Sequence, residues 1–170
     1  AITSTGATIN WTPSTTTVNV GYDYYISTTN VTPAATATPT GSAAATATSA
    51  TDNSLSPATT YHYWVRSNCA ATDQSAWAYG GTFTTLCATF SAPFVENFNN
   101  GVLPNCWTNE NNTNSTSTYL KWLFTSYMGY GTTGNGGKTS GTFAWVDASS
   151  PYNLGDSVIL STPAINLATL

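Results

Sequence analysis

The chain has 170 residues, 41% of them hydrophobic and only 6% charged, with three Lys/Arg and a formal net charge of −4. Average soluble domains carry roughly 25% charged residues. So few cations cannot neutralise phosphates or anionic lipid headgroups, which excludes nucleic acid and a charged membrane surface as partners. The apolar content is enough for packed cores and excludes a disordered tail. Polar character comes from Thr, Ser, Asn and Gly, and 13% of the residues are aromatic. That profile suits an extracellular β-rich protein, because β-branched and aromatic residues fit half-buried strands. No apolar run approaches a membrane span, and the opening AITSTGATINW has no basic n-region, so a secretion signal is expected far upstream or already removed.

Taken in chain order, ATINWTP alternates Ala7, Ile9 and Trp11 on one face. In VGYDYYIST, Val20, Tyr22, Tyr24 and Ile26 share a face, with Asp23 and Tyr25 on the other. PAATATPTGSAAATATSAT is an Ala/Thr-rich stretch in which strand limits cannot be placed. In TYHYWVRS, Tyr61, Tyr63 and Val65 point one way, and His62, Trp64 and Arg66 the other. GGTFTTL closes the set. Short alternating segments separated by Gly, Pro, Asn and Ser clusters, without helical periodicity, predict an antiparallel all-β sandwich.

Trp11, Tyr22 and the turn Leu55-x-Pro57-x-Thr59-x-Tyr61 leading into Tyr63 and Val65 make residues 1–86 resemble a fibronectin type III domain. The resemblance implies a tyrosine corner, in which Tyr61 returns its hydroxyl to backbone a few residues upstream and pins the crossover. Residues 87–170 carry a different pattern. It consists of Glu96-Asn97-Phe98, Leu103-Pro104-x-Cys106-Trp107, Trp122, a Gly-rich loop, GTFAWVDAS, and Leu160-Ser161-Thr162-Pro163 with Ile165 and Leu167. This part resembles the first half of a MAM-like jelly roll of the cleaved-adhesin kind, found on secreted bacterial adhesins and proteases. Such modules need about twice this length, so the chain is expected to stop midway through the second domain, leaving open sheet edges.

Three cysteines are an odd number for an oxidising compartment. On the sandwich reading Cys69 and Cys87 stand at opposite ends of neighbouring strands, on the order of 25 Å apart. A disulfide needs Cα atoms about 4.4–6.8 Å apart. Cys87–Cys106 is therefore the expected pair. Cys69 is either a lone thiol or the partner of a cysteine just upstream of Ala1, since the resemblance places the amino terminus at its pole.

Several chemical readings fail on context. GTTGNGGKTSG has Thr132 where a phosphate-binding loop needs its first glycine, and a strand pattern follows where a helix should. His62 lies mid-strand without a nucleophile motif beside it. Glu96, Glu110, Asp147 and Asp156 lack the spacing of a glycosidase pair. No enzyme activity is expected. The jelly-roll resemblance allows a structural calcium on Glu96 and Asp147, each placed on a strand, with Asp156 as a further ligand. The other reading of Glu96 is a cap on local backbone groups. Tyr25, Trp64 and Arg66 are expected on an exposed aromatic face, with His62 beside them and Asp23 paired to Arg66, as a surface for sugars or a neighbouring domain. Asn10, Asn30, Asn111 and Asn114 head N-x-Ser/Thr sequons, and Asp156-Ser157-Val158 resembles a bacterial O-glycosylation triplet.

The resemblances imply a non-catalytic adhesion and spacer segment of a large secreted or cell-surface bacterial protein, exported by the type IX route. Its expected partners are an extracellular glycan or protein, or neighbouring modules of the same chain. Alternatives are an accessory targeting region of a secreted protease or glycosidase, or a subunit of an extracellular fibre completed by strand addition.

Overall fold

Alternation becomes strand wherever both faces find cover. The computed structural model describes residues 1–70, 72–112, 120–126, 141–146 and 156–168, and among these there is no helix. The chain divides into two units, Ala1–Ala88 and Thr89–Leu170, a boundary two residues from the one expected.

Unit 1 holds β1 (Ala7–Asn10), β2 (Gly21–Ser27), β3 (Gly41–Ala43), β4 (Ser49–Asp52), β5 (Thr60–Ala70), β6 (Asp73–Gln74) and β7 (Ala78–Thr84). β1 pairs antiparallel with β4 in a two-stranded sheet, while β3, β2, β5 and β6 form the second sheet with β7 also paired to β5. Ile9 from the small sheet packs against Tyr22, Tyr24 and Val65 from the large one. Ala7, Leu55 and Tyr61 form a second buried cluster beside it. Ile9, Tyr22, Tyr24 and Val65 are buried where the alternation predicts, whereas Val20, expected on the same face, precedes β2 and is 57% exposed. Fully burying such a side chain is worth about 1.5–3 kcal/mol before conformational entropy is counted.

The corner forms as expected. The Tyr61 hydroxyl accepts the Ser56 N–H at 2.9 Å, five residues upstream. Thr85 adds a second tie: its hydroxyl donates to Ser56 O at 2.7 Å and accepts from Thr59 N at 3.0 Å. Leu86 N donates to Thr3 O and Ala58 N to Leu86 O, each at 3.0 Å, so the chain leaving β7 is stitched to both the corner and the amino-terminal residues.

Between β5 and β7 the register shifts: Gly81 faces Tyr63 and Tyr79 faces Trp64, leaving Gly80 as the extra residue of a bulge. The Tyr63 ring lies against Gly80 so closely that any Cβ there would collide with it. Tyr63 then spans the sandwich, donating its hydroxyl to Asn10 O at 3.0 Å.

Unit 2 contains β8 (Phe90–Ser91), β9 (Thr108–Asn112), β10 (Leu123–Thr125), β11 (Phe143–Trp145), β12 (Ser157–Ser161) and β13 (Ile165–Asn166). They pair as β9–β12 and β10–β11 antiparallel, and β8–β13 parallel. Aromatic contacts run from Phe90 through Phe94, Trp107 and Phe98 to the buried Phe124. Asn109 anchors the segment before β10 with both ends of its amide: Nδ2 donates to Trp122 O at 2.7 Å, and Oδ1 accepts from Trp122 N at 3.0 Å. Of the predicted strand GTFAWVDAS, Phe143–Trp145 forms β11. Gly131–Gly141, apart from Gly141, lies outside the described residues.

Candidate functional site

The outer face of β2 and β5 was expected to be an exposed aromatic patch, and the structure corrects this. Trp64 is only 1% exposed and Arg66 6%. Tyr25 is half-buried, its ring edge against Trp64 and Trp77 at 6.3 and 6.0 Å between centroids. The cover comes from the segment around Ala34 and Ala35, part of the bland Ala/Thr stretch. Arg66 Nη1 donates to Ala35 O at 2.7 Å, and Trp77 Nε1 to Ala34 O at 3.1 Å. The face is a second core rather than a binding surface.

Its charge is internal. Asp23 and Arg66 pair across β2 and β5, with Arg66 Nη2 2.9 Å and Nε 3.0 Å from Asp23 Oδ2. Ser42 Oγ donates to Asp23 Oδ1 at 2.8 Å, and the guanidinium carbon sits 4.4 Å from the Trp77 ring centroid. Every partner the pair needs is therefore built into the fold, as a desolvated ion pair requires. Trp77 had no signal in the sequence beyond being a Trp in a short linker. At the rim, His62 Nδ1 meets the Tyr79 hydroxyl at 3.0 Å, and Tyr79 is 51% exposed.

An open concavity of unit 1 lies elsewhere. A cleft of about 650 Å³ lies between the end of β1 with the residues that follow it to Ser14, and Ser75 to Gly80, which include the start of β7. Val65 and Tyr22 from the core line its depth. Trp11 also lines it and packs on Tyr22 at 5.4 Å, and its buried indole N–H has no acceptor among the described residues.

Glu96 was expected on a strand, but it lies between β8 and β9, where Oε1 accepts the Phe98 N–H at 2.6 Å. This is the local capping role, and Phe98 takes a positive φ of 57° within that turn. Asp147 lies outside the described residues, as does Asn114, and Asp156 stands just before β12. Among the described residues no three His, Cys, Asp or Glu side chains gather as metal ligands.

Cys87 and Cys106 are disulfide-bonded, the expected pair, which fits an oxidising compartment. Cys69 is free, its Sγ donating to Thr17 O at 3.4 Å. The partner expected for Cys69 just upstream of Ala1 lies outside the described residues. Ala1 O accepts from Thr8 N, and Thr3 lies beside Leu86, at the corner end of the sandwich. Cys69 closes the far end of β5. Among the described residues, no helix is long and apolar enough to cross a membrane.

Comparison of the chain with protein-family models, curated proteins and solved structures finds no match.

Proposed function

We propose that this chain is a non-catalytic adhesion and spacer segment of a secreted or surface-displayed bacterial protein. In this reading unit 1 is a fibronectin type III-like spacer, and unit 2 belongs to a MAM-like jelly roll that presents a binding surface to an extracellular glycan or protein. The observation that carries it is the Ser56–Tyr61 corner bond. It locks the crossover between the two sheets of unit 1, the property a rigid spacer needs. The Cys87–Cys106 disulfide and the very low cation content support an extracellular setting. His62, bonded to Tyr79 on the rim of an aromatic cluster, supports a structural role for that histidine.

The test is binding of the purified chain to a glycan array and to immobilised matrix proteins, with and without calcium. Saturable binding without turnover is expected. Hydrolysis of a protein or polysaccharide substrate by the purified chain would overturn the reading.

A further inference from the structure

Lys and Arg ordinarily stand on a protein's surface, and neither is fully buried unless it is paired. Residues 1–120 hold a single one of them, Arg66, and the fold keeps it inside, 6% exposed. Lys121 and Lys138, the other two, both follow unit 1 in the chain. Unit 1 therefore carries one bond, Arg66–Ser67, that an endopeptidase requiring Lys or Arg on the acyl side can cut.

That bond is withheld at each point such an enzyme must reach. The three guanidinium nitrogens are engaged: Nε and Nη2 on Asp23, and Nη1 on Ala35 O, with Trp77 covering the cation at 4.4 Å. A carboxylate in a protease's specificity pocket would have to displace them. The leaving nitrogen is held as well, because Ser67 N donates to Ser75 Oγ at 3.0 Å. Ser67 O accepts from Ser75 N at 2.9 Å on the same edge. β5 also lies between neighbours, with Asp23 of β2 opposite Arg66 on one side and β7 paired as far as Val65 on the other. Proteases nick exposed, unpaired chain, so β5 must leave both neighbours before this bond fits an active site.

We propose that Arg66–Ser67 is a fold-gated cleavage site for secreted endopeptidases directed at Lys or Arg. Native unit 1 is passed over, and a unit whose β5 has left the sheet is cut once, through the middle of its core. Water adds across the bond, leaving a carboxylate on Arg66 and an amine on Ser67, so β5 can no longer re-form as one strand. Cutting follows the population of the opened form and not the exposure of the native surface. The inference rests on unit 1 alone and is independent of what unit 2 binds.

The experiment is trypsin digestion of the disulfide-intact 170-residue protein, with cuts located by mass spectrometry and a peptide of residues 60–70 as the open reference. Cleavage after Arg66 is expected to be at least about a hundredfold slower in the protein than in the peptide. A fragment reaching from Ala1 to at least Lys121 should persist. Asp23→Ala, which frees the guanidinium, should speed the cut at that bond at least about tenfold, since it raises the opened population. Asn30→Arg places a cation in the exposed segment between β2 and β3, away from the ion pair, and should be cut after position 30 at least about tenfold faster than after Arg66. That variant also keeps the test valid if Asp23→Ala fails to fold. The proposal is overturned by a peptide-to-protein ratio below about a hundred, or by cutting of Asp23→Ala no faster than wild type. It is equally overturned by an Asn30→Arg protein as resistant as wild type, which would assign the resistance to rigidity of the whole unit and not to concealment of its one cation.

Discussion

Asp23 and Arg66 stand directly opposite each other on β2 and β5 and close an ion pair at 2.9 Å, both side chains almost wholly withdrawn from solvent. Removing one partner strands the other. Asp23→Ala should therefore cost about 3–5 kcal/mol of unit 1 stability in urea unfolding. The double replacement Asp23→Leu with Arg66→Met should recover most of that loss, because a packed apolar pair needs no counter-charge. Equal losses in the single and double variants would show that the pair acts through shape alone.

Tyr61→Phe keeps the stacked ring contact with Phe83 and deletes only the acceptor of the Ser56 N–H. A loss of about 1–2 kcal/mol is expected, the cost of a deleted partner for a partly buried donor. It should appear as a lower urea midpoint with an unchanged m-value.

Gly80→Val would place side-chain atoms inside the Tyr63 ring. The ring cannot swing away without breaking its bond to Asn10 O. Overpacking of this kind costs about 1–3 kcal/mol, measurable by thermal unfolding. Combining it with Tyr63→Ala should remove the clash, so the two effects should not add.

Burial, and secondarily the negative charge of Asp52, push the Tyr24 hydroxyl above its ordinary pKa. The folded state then holds this proton more tightly than the unfolded one, so its contribution is full below about pH 10. It is lost as pH rises through the raised folded value. Wild-type stability should fall across that alkaline window, and Tyr24→Phe should flatten the fall. An unchanged slope in the variant would assign the alkaline loss to other groups.

Replacing both Cys87 and Cys106 by Ala opens the loop between them. The chain-entropy model assigns roughly 3 kcal/mol to such a closure. The loss should appear as a lower midpoint for unit 2 in guanidinium, and reductant should reproduce it in the wild-type protein.

The inward faces of unit 1 were legible because period-two alternation marks which residues share a side: Ile9, Tyr22, Tyr24, Tyr61 and Val65 all lie where the pattern puts them. The corner bond was legible through the resemblance that the Leu55-x-Pro57-x-Thr59-x-Tyr61 turn carries. The outer face was misread. Alternation says that Trp64 and Arg66 share a side, but not whether that side meets water, and its cover is a segment of Ala, Thr and Pro with no signal of its own. The cleft was invisible for a related reason, since it is defined by two strand edges brought together only by the fold. Glu96 was placed on a strand by the jelly-roll resemblance, but the carboxylate caps its own turn instead.

The stitching at Thr85 and Leu86 has a mechanical consequence. Tension arriving through Cys87 meets the bonds from Leu86 to Thr3 and Ala58, and from Thr85 to Ser56 and Thr59, before it can peel β7 from β5. Those bonds must break before the longer ladder unzips, so the knot at the chain's exit, and not the sheet, sets the first force threshold of unit 1.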